Sequence, residues 1–204
     1  MTIGKGTAWG QPAEVPNSIR VVPSDRAAHS WVTEHRQQGK PITDLGISGG
    51  DLARTAGGGV SGRFPGTAVY APFDALRVVL DGQLTTWAVA HVIARRSWLS
   101  GELLMAMNAQ FFGEYDVAPR AHPNDGLVDV LRVAGGMSAR ARLAARGRAR
   151  HGGHLPHPDL TMMRRAAVTT TFTRPLVVWV DGERIGTATS LEVTVEPDAF
   201  HAYV

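Results

Sequence analysis

The stretch Ala118 to Val133, APRAHPNDGLVDVLRV, sets a Pro-Asn-Asp-Gly turn directly against an alternating strand. Asn124, Asp125 and Gly126 are residue types that accept turn geometries others resist, and Leu127, Val128, Val130, Leu131 and Val133 supply strand-forming bulk immediately afterwards. The pattern predicts a turn pinned on a core strand. An Asp-Gly pair alone is no more than a turn, so the meaning of Asp125 depends on what surrounds it.

On both sides the chain reads as strands. Leu103 to Met107 is an apolar run ending at Asn108, and Ala166–Phe172, Leu176–Val180 and Leu191–Val195 follow downstream. Further upstream, Ala75–Leu80 and Gln83–Val89 are joined by Asp81-Gly82, a strong hairpin signal. Many short strands with few helices between them predict an α+β fold whose bulk, residues 66–204, is a β-rich, sandwich-like domain. Before it, residues 18–65 read as a small α/β unit. Ile19–Val22 is a strand, Ser24 caps a helix from Asp25 to about Gln38 with Gly39 closing it, and Leu45-Gly46-Ile47 is the next strand. Residues 1–17, rich in Gly and Pro, read as an extended arm, and there is no internal repeat.

Composition narrows the function classes. A chain of 204 residues that is 44% hydrophobic can bury a real core. No run approaches the roughly 18 apolar residues of a membrane span, and MTIGKGTAWGQPAEVP has no apolar signal segment. The expected location is cytoplasmic, with peripheral attachment to a membrane left open. The absence of cysteine excludes a disulfide framework, thiolate catalysis and Cys-based zinc sites. A net charge of +3 speaks to solubility.

Three segments carry possible chemistry. Ser48 to Gly59, SGGDLARTAGGG, follows a strand and precedes a short helix; its backbone N–H groups at Gly49, Gly50 and Asp51, with Arg54, could cradle phosphate, or the glycines could simply make the connection. Ser138 to Arg150 carries Arg140, Arg142, Arg146, Arg148 and Arg150 in a helix-compatible run, suited to an anionic membrane surface, to nucleic acid or to a solvated face. With no interleaved aromatic residue to stack on bases, the nucleic-acid signal is not strong. His151, His154 and His157 recur every third residue ahead of Asp159, a metal-ligand chemistry, but Gly152, Gly153 and Pro156 argue against a rigid face.

Taken in order, Asn108, Gly113, Ala118-Pro119, Asp125-Gly126-Leu127-Val128-Asp129, Gly153-His154 and Asp181-Gly182-Glu183 resemble the second domain of the diacylglycerol and related lipid kinases, relatives of the NAD and sphingosine kinases. The resemblance covers residues 66–204. Gly49-Gly50-Asp51-Leu52-Ala53-Arg54 looks like a worn version of that family's Gly-Thr-Gly-Asn-Asp-Phe-Ala-Arg segment, and the earlier Gly-Gly-Asp-Gly-Thr loop has no counterpart. The stretch before Ser48 therefore reads as a truncated nucleotide domain.

The resemblance implies ATP-dependent phosphoryl transfer to a lipid hydroxyl, with Asp181 as general base and Glu183 as its network partner. Such transfer rests mainly on positioning and electrostatics, and Asp181, at the end of the apolar strand Leu176–Val180, is placed to be held rigidly; an ordinary hairpin turn is the other reading of Asp181-Gly182. The resemblance also implies a structural Mg²⁺ held by the Asp125 side chain and the backbone carbonyls of His122 and Leu127, oxygen ligands that suit a hard cation. With one phosphate loop missing, ATP binding is expected to be weak. A non-catalytic relative, binding a lipid, a protein partner or a second copy of itself through the β domain, is the alternative.

Overall fold

Strands dominate because apolar residues either fill consecutive positions, as in Val92–Ala94 and Leu103–Met107, giving two buried faces, or recur at every second position, as in Leu191–Val195, giving one. The computed structural model describes residues 9–58 and 64–204; the first eight residues of the expected arm, and Gly59 at the end of the glycine-rich segment, lie outside the described residues. In chain order the elements are β1 Gln11–Glu14, β2 Arg20–Val22, α1 Asp25–Gln37, β3 Leu45–Ile47, α2 Asp51–Thr55, β4 Thr67–Leu80, β5 Leu84–Ala88, β6 His91–Arg95, β7 Leu103–Met107, β8 Phe111–Phe112, β9 Tyr115–Asp116, β10 Val128–Val133, α3 Ala139–Ala149, β11 Leu160–Arg165, β12 Ala167–Val180 and β13 Glu183–Tyr203.

Among the described residues eleven strands form one large sheet, eight of them in the order β1-β4-β13-β12-β6-β7-β10-β11. β5 lies antiparallel beside β4, while β3 pairs in parallel with both β2 and β13. The result is the β-rich, sandwich-like architecture with few helices that the strand pattern predicted. Alternation decides which side chain goes where. Val92 and Ala94 of β6, Leu104 and Ala106 of β7, and Val128 and Val130 of β10 enter a central core with Leu76, Val178 and Val193. The intervening Ile93, Leu103, Met105 and Leu131 face the opposite way, toward Ala145 of α3. A third cluster packs Ala28 and Val32 of α1 and Leu52 of α2 against Phe73 of β4 and Phe200 of β13.

Several boundaries differ from the sequence reading. Ala166–Phe172 and Leu176–Val180 are parts of one strand, β12, whose pairing with β13 shifts register between Thr171 and Leu176 and so carries the chain past Pro175. Leu191–Val195 is the middle of β13, which shifts register against β4 between Glu196 and Phe200, where Asp198 has φ 49°. The hairpin after β4 closes with the three residues Asp81, Gly82 and Gln83, so its second strand starts at Leu84. Strands β6, β8, β9 and β11 were not anticipated, and β1 lies within the stretch read as an extended arm.

The α/β unit packs onto the sheet. Ser24 caps α1 by accepting the Ala27 N–H at 3.3 Å, a contact that satisfies one of the helix's free amide donors. β1 runs antiparallel along β4. Among the described residues no helix is long and apolar enough to cross a membrane.

Candidate functional site

Asp181 and Gly182 form a two-residue hairpin loop between β12 and β13, with φ of 46° and 82°. Both values lie in the left-handed region that two-residue hairpins require and that Asp and Gly tolerate. The Asp181 carboxylate turns inward and is fully buried. It accepts the backbone N–H groups of Val89 at 2.7 Å, Ala90 at 3.0 Å and His91 at 2.8 Å. Asp181 thus shapes the β5–β6 turn from some 90 positions away in sequence. Glu183, two residues on, points elsewhere and pairs with Arg26 at 3.4 Å.

Around Asp181 lie His29 of α1, with Nδ1 at 4.0 Å, and His91 of β6, with Nδ1 at 3.9 Å. His29 Nδ1 donates to the Trp87 carbonyl, which fixes its tautomer. The Nε2 of His91 is 3.4 Å from Asp51 at the start of α2. Asp51 accepts the Gly113 N–H at 3.0 Å, tying α2 to the β8–β9 loop. Arg54 does the same by donating to the Gly113 carbonyl at 2.7 Å and stacking over Phe111.

The glycine-rich segment has a different local use from the one expected. The N–H groups of Asp51 and Leu52, candidate phosphate donors, both point at the Asp25 carboxylate, at 2.6 and 3.0 Å. Gly50 has φ 101°, and a Cβ there would lie 2.4 Å from Asp25 Oδ1; a Cβ on Gly49 would lie 2.8 Å from the Pro23 carbonyl. Gly50 admits an internal carboxylate at close range, and Gly49 admits the Pro23 carbonyl. Asp25, Asp51 and His91 offer one ligand atom each within 4.8 Å of one another, a set able to hold a metal ion. Burial pushes the Asp25 carboxyl up to about 6, the Asp181 charge adding to it and the two amide bonds opposing it. For His91 burial opposes the charged form, but the Asp51, Asp181 and Asp25 carboxylates outweigh it and the pKa is raised.

Asp125 sits in its predicted turn, where its Oδ1 accepts the Leu127 N–H at 3.0 Å. Its other oxygen pairs with Arg164 of β11, which also donates to Asp129 at 3.2 Å. A fixed guanidinium therefore occupies the carboxylate that the resemblance gives to Mg²⁺. His122 uses its ring, Nδ1 accepting the Asn124 N–H at 3.2 Å. The turn is anchored by Asp74 of β4, fully buried, which accepts from the Gly126 N–H at 2.8 Å, the Asn124 amide at 3.1 Å and the Asp198 N–H at 2.9 Å. Burial raises the Asp74 carboxyl to about 6. Asn108 joins the two turns, donating to the carbonyls of Asp74 at 3.1 Å and Val89 at 2.9 Å. Sequence reasoning passed over Asp74, His91 and the acidic role of Asp25, since one Asp in a strand or at a helix start carries no signal of its own.

Between α3, the outer face of β7 and β10, and the β8–β9 hairpin lies a cavity of about 400 Å³ with walls including Met105, Leu131, Ala145 and Phe112. Phe112 also lies edge-on to His91, with ring centroids 5.0 Å apart, so one end of the cavity abuts the acidic cluster. His154 lines it too, and burial lowers that imidazole's pKa. His157 Nδ1 accepts the Asp159 N–H at 3.1 Å, and among the described residues the three histidines form no metal-binding group.

These features coincide with a family pattern: residues 62–204 match the model of the YegS C-terminal NAD kinase beta sandwich-like domain. The chain belongs to that family. In three dimensions this YegS-type chain is similar to a diacylglycerol kinase from Bacillus anthracis str. Sterne, at 15% identity and a TM-score of 0.55, over 79% of this chain and 67% of that one. It is also similar to a putative diacylglycerol kinase from the same organism, at 13% identity and a TM-score of 0.56, over 79% and 69% of the two chains. At these identities the likeness is one of fold. A comparison with curated proteins finds no match.

Proposed function

We propose that this YegS-type chain binds a lipid, with the apolar chain in the cavity beside α3 and the polar head toward Asp51 and His91, and that it transfers a phosphoryl group from ATP to the lipid hydroxyl. The observation that carries the reading is the contact between Phe112, in the cavity wall, and His91, in the acidic cluster. The cavity's size and largely apolar walls are those of small-ligand sites. Phosphoryl transfer needs the acceptor hydroxyl held in line and its proton removed. By resemblance Asp181 is the base, but its carboxylate is fully buried and holds three amide N–H groups, so His91, whose Nδ1 lies 3.9 Å from it and whose ring meets Phe112 of the cavity wall, is the group that would pass the proton between the lipid hydroxyl and Asp181. Asp25, Asp51 and His91 are the residues that would hold a divalent ion accompanying the phosphates.

The non-catalytic alternative is favoured by one observation: Asp25 already occupies the amides of Asp51 and Leu52. A triphosphate then finds few backbone donors at this loop, and ATP is expected to bind above about 1 mM, roughly 4 kcal/mol or less. Incubation with Mg²⁺, γ-labelled ATP and a micellar diacylglycerol separates the readings. Label in the extracted lipid, lost on the order of 10²- to 10⁴-fold in Asp181→Asn, supports the kinase. Lipid uptake without label supports the binding module, and neither uptake nor label overturns both.

A further inference from the structure

We propose that the mouth of the apolar cavity is a docking surface for an anionic lipid bilayer; the proposal rests on the lipid reading above and names the source from which that lipid is drawn. Of the large apolar side chains left exposed among the described residues, Trp98, Leu99 and Leu143 all line this one cavity, at 37%, 47% and 55% exposure. Val21 and Leu84, the others, lie on β2 and β5 and do not line it. Exposed apolar residues gathered at one opening mark an interaction site, whereas the same residues scattered would need no explanation.

Charge identifies the partner. Helix α3 has four arginines and no acidic residue, and Arg150 follows as its C-cap. Arg142 is the structural member, buried and donating to the carbonyls of Met137, Ala134 and Gly101, so it anchors the helix over the cavity. Leu143, Arg146 and Arg150 are three and seven residues apart and share one flank. Leu143 and Arg146 line the cavity, and Arg146 donates to the Tyr115 hydroxyl at 2.6 Å, which holds it at the opening. Arg140 and Arg148 are exposed and make no ion pair among the described residues, and exposed Arg96 lies two residues from Trp98. Arg150 pairs with Glu114 at 3.2 Å, whereas Arg140, Arg146 and Arg148 make no ion pair among the described residues and keep their positive charge for an outside partner. Guanidinium groups around exposed Trp and Leu side chains are the composition of an interfacial membrane contact: the apolar residues enter the acyl boundary while the cations meet lipid phosphates. A lipid leaving the bilayer there passes straight into the cavity without crossing water.

The test is co-sedimentation of the full chain with vesicles of phosphatidylcholine alone or mixed equally with phosphatidylglycerol, at low and high salt. Partition onto the mixed vesicles is expected to exceed that onto neutral ones at least tenfold and to weaken with salt. Leu143→Asp and the pair Arg140→Glu and Arg148→Glu, all at exposed positions, should each reduce it about tenfold with the circular dichroism spectrum unchanged. Equal partition onto both vesicle types, undiminished binding by Leu143→Asp, or tighter binding to duplex DNA than to the mixed vesicles overturns the docking surface. Uptake of a water-soluble short-chain lipid is read in parallel. If it persists while vesicle binding is absent, the docking surface falls and the lipid reading stands; if it is absent while vesicle binding persists, the cavity reading falls and the docking surface stands.

Discussion

Truncating Asp181 to alanine leaves the N–H groups of Val89, Ala90 and His91 aimed at an empty space inside the protein. An unsatisfied buried donor costs about 1–3 kcal/mol, and water entering the vacated space recovers part of that. Three such donors give an expected loss of about 4 kcal/mol. For a domain of this size that corresponds to a fall in melting temperature on the order of 10 °C. Asp181→Asn retains one acceptor oxygen and the residue's tolerance of positive φ but sets an NH₂ against the remaining donors, so about half that loss is expected. Urea unfolding of the three proteins at neutral pH measures the difference, with the slope against denaturant checked for constancy. A loss below about 1 kcal/mol for Asp181→Ala would refute the claim that this carboxylate builds the β5–β6 turn.

Other perturbations reach the surrounding residues. The Asp25 carboxyl is raised to about 6 in the folded chain, so its contribution to stability is present below the unfolded value near 4 and is lost as pH rises through about 6. The stability of the wild type relative to Asp25→Asn should therefore fall by up to about 3 kcal/mol between pH 4 and pH 7.5, and a flat difference across that range would count against the raised pKa. Gly50→Ala should destabilise by about 2 kcal/mol or more, because it combines an unfavourable φ with a clash against Asp25; a neutral effect in thermal melts would mean the close approach is not maintained. If Asp125 binds Mg²⁺, the ion competes with Arg164, so Mg²⁺ should raise the melting temperature of Arg164→Ala more than that of the wild type and have no effect on Asp125→Ala. Equal responses in all three would remove the metal from this turn.

What could be read from the sequence follows the range of the interactions involved. Leu103–Met107 and Val128–Val133 were legible because alternation and a neighbouring turn are local signals. β6 was missed because the run from Leu84 to Arg95 contains no Gly, Pro or Asn to mark a break; the turn at Val89 and Ala90 is made by Asp181, far along the chain. Arg174-Pro175 reads as an interruption, yet a register shift absorbs it within β12. At the candidate site, the motif residues Asp51, Asn108, Asp125 and Asp181 stood out through their Gly neighbours or their place in an ordered pattern. The residues that complete their networks, Asp25, His29, Asp74, His91 and Arg164, come from a helix face and strand positions where a single polar residue has no distinguishing context. The glycines at 49 and 50 were legible as a phosphate cradle or a plain connection, but what they approach is the Pro23 carbonyl and the Asp25 carboxylate, which only the packing of α1 beside α2 reveals.

We propose that a lipid chain occupies the cavity between α3 and the outer face of β7 and β10. The most direct test is titration calorimetry of a short-chain, water-soluble monoacylglycerol against the wild type and against Ala145→Phe, which projects a ring from α3 into that space. The wild type is expected to bind the lipid, and Ala145→Phe, verified as folded, to bind it at least tenfold more weakly, a change of about 1.4 kcal/mol or more. Equal affinity in the two proteins, or no measurable binding by the wild type, would rule out a lipid chain in that cavity.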